Sequence, residues 1–167
     1  MAKSASIHLE VGSEGRLSMF RGQFEHAIDS KGRTSLPSRF RDVLVASSDL
    51  RIVMAPSMFD TCLDVYPLKA WEELEAQFAV LPRFDRSMLR LRRQYLSAAV
   101  DCEVDKQGRV LVPNALRERG CLNNDVLWAG MGQTIELWSK EKWAETQILS
   151  DEEKAEFQRV LAEKVRI

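Results

Sequence analysis

Two stretches of the chain share one pattern in one register. DSKGRTSLP runs from Asp29 to Pro37 and DKQGRVLVP from Asp105 to Pro113, and they agree at aspartate, glycine, arginine and proline, 76 residues apart. The likeness continues downstream. RIVMA (Arg51 to Ala55) matches VLWAG (Val126 to Gly130), Leu63-Asp64-Val65-Tyr66 matches Ile135-Glu136-Leu137-Trp138, and Trp71 matches Trp143. By these last anchors the offset has fallen from 76 to 72, so the second copy is four residues shorter, and the link after its first helix is the natural place for that deletion. An internal repeat constrains a fold more than composition does, because a short unit repeated in tandem buries its apolar surface against its neighbour.

Each copy reads the same way locally. FEHAI and CEV enter the loop as strands, and RTSL and RVLV leave it as strands. Gly32 and Gly108 supply the positive φ of a tight bend. Pro37 and Pro113, which have no N–H for a ladder, stop the outgoing strands. Ser38 and Asn114 are expected to cap the short helices SRFRDVL and NALRERG, with Gly120 closing the second. Two further strands and a helix starting near Leu68 and Lys140 complete each unit. Between the copies, residues 87–98 show helical spacing, with Met88, Leu91, Tyr95 and Ala98 on one face and Arg83, Arg86, Arg90 and Arg93 on another. The C-terminal stretch is a charged amphipathic helix with a narrow stripe of Phe157, Val160, Leu161 and Val165. The expected division is a flexible extension at 1–18, a first unit at 23–70, a helical connector at 71–98, a second unit at 99–142 and a terminal helix at 143–167.

The chain of 167 residues is 45% hydrophobic and 29% charged, with a formal net charge of -1, so any surface for a polyanion must be local. Cys62, Cys102 and Cys121 are widely spaced and far from His8 and His26, which argues for reduced thiols and against a metal site. No apolar run has the length of a membrane span, and the start lacks the continuous apolar stretch of a signal peptide. Signatures of phosphate-binding loops, metalloproteases, serine hydrolases and dinucleotide enzymes do not occur, and GMGQ (Gly130 to Gln133) reads as a hairpin turn. The expectation is a non-enzyme with no cofactor and no small-molecule substrate.

Chemistry therefore rests on the D-x-x-G-R loops. Asp29 and Asp105 can cap the backbone N–H groups of their own turns, and Arg33 and Arg109 leave the bend where a guanidinium reaches a phosphate or a guanine edge. The alternative is an aspartate–arginine pair that only stiffens the turn, and such an exposed pair contributes only ~0–1 kcal/mol. Charge separates the copies: Arg21 to Arg41 holds five basic and two acidic residues, whereas Asp101 to Arg119 holds four of each. The first copy is thus the expected polyanion contact and the second its structural partner.

MFRGQFEHAIDSKGRTSLPSRFR, with VDKQGRVLVPNALRERG downstream, resembles the MraZ family of bacterial regulators over roughly Met19 to Trp143. The resemblance implies an α+β fold of two tandem AbrB/SpoVT-like swapped-hairpin units interlocked into one β core, with short helices, a connector helix and a C-terminal helix. It implies a sequence-specific double-stranded DNA-binding transcription factor that represses its own cell-division and cell-wall gene cluster through promoter direct repeats. It also implies a ring-shaped homo-oligomer in the cytoplasm, associated with the nucleoid. The family's D-x-x-x-R signature falls on Asp29 and Arg33 and on Asp105 and Arg109, and its lysine falls on Lys31; Lys106 is shifted by one position. The family pattern begins at Met19, so residues 1–18 are extra. An antitoxin of the same hairpin fold, which binds a toxin protein, and a purely structural ring are the alternatives.

Overall fold

The computed structural model describes residues 19–166. The extension expected at 1–18 lies outside the described residues. The first round of elements is β1 (Gln23–Ala27), β2 (Arg33–Ser35), α1 (Ser38–Ala46), β3 (Arg51–Pro56), β4 (Leu63–Pro67) and α2 (Leu68–Ala79). After α3 (Arg86–Gln94) the round repeats as β5 (Val100–Glu103), β6 (Arg109–Leu111), α4 (Asn114–Arg119), β7 (Asp125–Gly130), β8 (Ile135–Ser139) and α5 (Lys140–Thr146). The helix α6 (Asp151–Lys164) follows. The expected α+β class, with interlocked hairpins, is what the chain adopts.

The two copies share their sheets. A six-stranded sheet runs β1-β7-β8-β4-β3-β5, and a second sheet is the pair β2-β6. In each copy the strand entering the loop pairs with the other copy's third strand, β1 on β7 and β5 on β3. The strand leaving the loop pairs with its own counterpart, β2 on β6. One copy alone would keep only the pair β3–β4 or β7–β8 and would leave both arms of its loop hairpin without their ladders. That requirement for a partner is the physical reason for the repeat.

Register reveals an internal axis. Thr34 stands opposite Val110, its own repeat equivalent, and Asp64 stands opposite Glu136, its equivalent in the central pair β4–β8. Equivalent residues face each other only where a two-fold axis passes between the strands, so the axis runs through both pairs.

Alternation along β3, β4, β7 and β8 divides the interior into two. On one face Ile52, Met54, Leu63, Val65, Val126, Trp128, Ile135 and Leu137 pack under α1, α4 and the β2–β6 ribbon through Phe40, Leu44, Val110, Val112 and Leu116. On the other face Val53 and Ala55 pack with Trp71 and Tyr95, which brings α2 and α3 onto the sheet. Trp71, Trp128 and Trp138 are buried, whereas Trp143 is half-buried.

Several local expectations change. Ser38 and Asn114 are first helical residues rather than caps; Pro37 and Pro113 hold the cap positions and neither helix has a side-chain cap. The proline carbonyls accept instead, from Phe40 and Arg41 in α1 and from Leu116 and Arg117 in α4. Gly120 closes α4 in the right-handed region, and the left-handed residue is Cys121 at φ 50°. A Cβ on Gly120 would stand 3.3 Å from Leu63 and Leu122, so close packing is what favours glycine there. The four-residue difference is split, two residues before β3 or β7 and two in the turn that follows, where Ser57 to Cys62 corresponds to Met131 to Thr134. The connector helix ends at Gln94, tied back to α2 by Arg92, which donates to the carbonyls of Phe78 and Leu81 at 2.8 and 3.4 Å. GMGQ is a hairpin turn, with Gly132 at φ 86°.

Candidate functional site

The two loops fold alike. Asp29 Oδ1 accepts from the backbone N–H groups of Lys31 and Arg33, both at 2.9 Å, and Oδ2 accepts from Arg33 Nε at 2.9 Å. Asp105 Oδ1 accepts from Gln107 at 2.8 Å and Arg109 at 2.9 Å, and Oδ2 accepts from Arg109 Nε at 3.2 Å. One aspartate thus satisfies the turn and orients the arginine that follows the glycine. The Arg33 N–H, ahead of the Lys31 N–H and the guanidinium, holds the Asp29 carboxyl below its ordinary value, and the Arg109 N–H does the same for Asp105. The aspartate–arginine pair expected as the bland alternative is therefore present in both loops. It engages Nε and leaves each guanidinium's Nη groups without a hydrogen-bond partner among the described residues.

The bends lie at opposite ends of one ribbon. Val112 N–H donates to the Gly32 carbonyl at 2.8 Å, and Leu36 N–H donates to the Gly108 carbonyl at 2.9 Å. Between them β2 and β6 alternate. Thr34 and Val110 point into the core, and Arg33, Ser35, Arg109 and Leu111 lie on the outer face. Arg33 and Arg109 are diagonal neighbours on that face, at a spacing of about 7–8 Å that long side chains can bridge. Lys31 and Lys106 sit at the exposed tips.

Each bend is also covered by an arginine from the other copy. A Cβ on Gly32, whose φ is 85°, would stand 2.9 Å from Arg117 Nε and 2.7 Å from the Val112 carbonyl. A Cβ on Gly108, whose φ is 77°, would collide with the Arg41 guanidinium. Arg41 and Arg117 are repeat equivalents, and their crosswise placement was not expected from the sequence. The shared 76-residue offset could have flagged the pair, but only the interlocked topology says which loop each one meets. The exchange is one arginine for another, so it leaves the basic surplus counted along the first copy unchanged. Each loop in space has one lysine, its own arginine, one arginine from the other copy and one aspartate.

A second group of polar side chains gathers at the internal axis. The ligand atoms of Cys62, Asp64 and Glu136 lie within 4.8 Å of one another. Tyr95 Oη donates to Asp64 Oδ2 at 2.8 Å, and Trp138 Nε1 donates to Glu136 Oε2 at 2.9 Å. Burial pushes the Cys62 thiol and both carboxyls up. The two carboxyls are each held by a hydrogen bond, and burial shifts all three groups toward their protonated forms. The arginines Arg83, Arg86, Arg90 and Arg93 lie exposed at the connector, remote in sequence from both loops. Among the described residues no helix is long and apolar enough to cross a membrane.

Comparison with known proteins bears on the whole chain. The family model described as "MraZ protein, putative antitoxin-like" matches residues 19–93 and again 95–165. A protein named Transcriptional regulator MraZ from Thermoanaerobacter sp. (strain X514) is 41% identical over 127 residues, covering 76% of this chain and 85% of its own length. One of the same name from Desulforamulus reducens is 45% identical over 126 residues, covering 75% and 84%. Another from Roseiflexus castenholzii is 38% identical over 145 residues, covering 87% and 98%.

Proposed function

The chain belongs to the MraZ family, and on that premise we propose that it is a transcriptional regulator that binds double-stranded DNA through the outer face of the β2–β6 ribbon. The observation that carries the reading is the placement of Arg33 and Arg109 side by side on that face, each oriented by its own aspartate and each with its Nη groups open. A two-stranded ribbon is narrow enough for the major groove, where an arginine fork matches guanine O6 and N7. Lys31 and Lys106 at the tips supply attraction to phosphate, and Asp29 and Asp105 set the bends. Phosphate contacts position a protein on the duplex, and base contacts specify the sequence.

The finer parts follow from the same reading. Residues 23–70 and 99–142 act as two halves of one DNA-binding body, with 71–98 as connector and 143–167 as terminal helix. The chain represses its own cell-division and cell-wall cluster from promoter direct repeats, in the cytoplasm at the nucleoid, and performs no catalysis. Assembly into a ring multiplies a weak contact, since linked ribbons act at a high effective concentration. Large apolar side chains left exposed on the single chain support assembly, among them Phe59 (94%), Val80 (85%) and Phe84 (88%), as does the exposed stripe of Phe157, Val160 and Leu161 on α6.

The test is binding to the chain's own upstream duplex against a scrambled duplex of equal length, over a salt series. Tighter binding to the upstream duplex, weakening steeply with salt, is expected. Equal affinity for both duplexes would overturn the regulator reading and favour a structural ring. Capture of a toxin protein with no duplex preference would favour the antitoxin.

A further inference from the structure

We propose that Cys62, Asp64 and Glu136 form a binding site for one zinc ion, shared between the two copies, in which the metal ties β4 to β8 across the internal axis. The site is independent of the DNA-binding reading, because it lies on the sheet face away from the β2–β6 ribbon. Leu63, Val65, Ile135 and Leu137 pack under that ribbon, so the alternating Asp64 and Glu136 lie on the α2 and α3 side.

The donor set comes together only in space. Cys62 and Asp64 belong to the first copy and Glu136 to the second, with Asp64 and Glu136 directly opposite each other in the ladder. That separation along the chain is why sequence spacing argues against a metal. One ligand atom from each of the three residues lies within 4.8 Å of the other two. A tetrahedral zinc ion holds sulfur and oxygen ligands about 3.4–3.6 Å apart, so side-chain movement of roughly 1 Å closes the set and leaves the fourth position for water. Cys62 is the observation that points to a metal. It is 1% exposed, its Sγ belongs to this cluster, and among the described residues no hydrogen bond meets it, whereas Cys102 donates to two carbonyls at 3.7 Å. Nor does any lysine or arginine among the described residues form a salt bridge with Asp60, Asp64 or Glu136. Asp60 meanwhile adds its negative charge at the thiol and at both carboxyls. A divalent cation is the counter-charge that such a group lacks.

The surroundings give the cation its identity and its number. Tyr95 Oη and Trp138 Nε1 each donate to one oxygen of a carboxyl, at 2.8 and 2.9 Å. Outer donors of this kind orient carboxylate ligands and leave the second oxygen to the metal. A thiolate beside two carboxylates suits zinc, whereas magnesium and calcium take oxygen ligands. Cys62 corresponds to Thr134, and the turn Ser57 to Cys62, which carries Asp60, is two residues longer than Met131 to Thr134. The second copy therefore offers no equivalent thiol, and the chain holds one ion rather than a symmetric pair.

The experiment uses the full chain, reduced and stripped of metal by a chelator, titrated with Co2+ as the spectroscopic stand-in and then with Zn2+. One Co2+ per chain is expected, with a thiolate-to-cobalt band in the near ultraviolet and tetrahedral bands in the visible, all lost as Zn2+ displaces it. Cys62→Ala should abolish the thiolate band. Asp64→Asn and Glu136→Gln should each weaken Zn2+ binding at least about tenfold, and Tyr95→Phe, which removes an outer donor, about tenfold. Cys121→Ser, at an exposed thiol, should leave the spectrum unchanged. Zn2+ should raise the melting temperature of the wild type, as a ligand of the folded state does, and should leave Asp64→Asn and Glu136→Gln unmoved. Should Cys62→Ala fail to fold, the two carboxyl variants decide the same question. A titration without the thiolate band would overturn the proposal, as would a band that survives Cys62→Ala or disappears in Cys121→Ser. Wild-type Zn2+ affinity in both carboxyl variants would overturn it equally. Duplex preference of the metal-free chain tests the regulator reading separately.

Discussion

The two loops have the same hydrogen bonds and different surroundings. Asp29 and Asp105 accept from the same three positions of their turns, at distances that differ by no more than 0.3 Å between the loops. Their basic residues differ along the chain, since Lys31 directly precedes Gly32 whereas Lys106 is one position earlier relative to Gly108. Their steric environments differ as well. Gly32 faces the Val112 carbonyl in addition to Arg117, whereas the atoms nearest to Gly108 all belong to the flexible Arg41 side chain. Local sequence therefore sets the bend, and the crossed packing sets what the bend meets. Arg41 and Arg117 change places one for one, so the larger basic surplus counted along the first copy is untouched by the crossing.

The strongest attempt to break this comparison is to delete each loop arginine in turn. Arg33→Ala and Arg109→Ala should each weaken upstream-duplex binding about tenfold to hundredfold, from the loss of one bidentate base contact per engaged ribbon. Assembly size by light scattering should stay unchanged. Loss from Arg33→Ala alone would restore the unequal roles expected from charge along the sequence.

A smaller effect sharpens the steric difference. Gly32→Ala and Gly108→Ala both force a left-handed backbone, at roughly 1–2 kcal/mol. Only Gly32→Ala must also displace a backbone carbonyl, so its melting temperature should fall further. Equal falls would mean that Val112 moves as readily as the Arg41 side chain.

The next test lies on the internal axis, where the copies contribute one carboxyl each. Asp64 and Glu136 have raised values when folded, chiefly through burial. A raised carboxyl binds its proton more tightly in the folded state, so stability falls as pH rises from the ordinary carboxylate range through the folded values. Asp64→Asn and Glu136→Gln should therefore raise the melting temperature at neutral pH, and the gain should vanish near pH 4, around the ordinary carboxylate values. The loop aspartates behave oppositely: their values are lowered, so what they contribute is present at neutral pH and is lost as the medium becomes more acid than the ordinary carboxylate range.

The smallest effect concerns the other pair on the axis. Thr34 is buried and its hydroxyl has no hydrogen-bond partner among the described residues, whereas its equivalent is Val110. Thr34→Val, which makes the pair symmetric, should stabilise by about 1 kcal/mol in chemical denaturation. A loss of stability would indicate that the hydroxyl has a partner in the assembled protein.

Much of this was legible in the residues. The repeat, the order strand–loop–strand–helix–strand–strand–helix and the bends at Gly32 and Gly108 are local consequences of apolar alternation and of glycine and proline chemistry. The capping interactions were less legible, because Pro37 and Pro113 hold the cap positions and their carbonyls organise the first turn, which puts Ser38 and Asn114 inside the helices. The alignment of Asp64 with Glu136 was visible as equivalence, but equivalence does not say that the two face each other.

By itself the sequence determined that a small unit occurs twice, that each unit turns at an aspartate–glycine–arginine loop, and that neither carries the groups of a familiar enzyme. Those features depend on neighbours a few residues away, where backbone sterics and side-chain reach are fixed. The tertiary structure decided which strands pair, where the axis falls, and that Arg41 and Arg117 cross to the opposite loops. These depend on residues between 46 and 106 positions apart being brought together, and hydrophobic burial, which drives that approach, is non-directional. Only the hydrogen-bond ladders of β1 on β7, β5 on β3 and β2 on β6 select the partner, and a ladder is a property of two strands that neither one encodes alone.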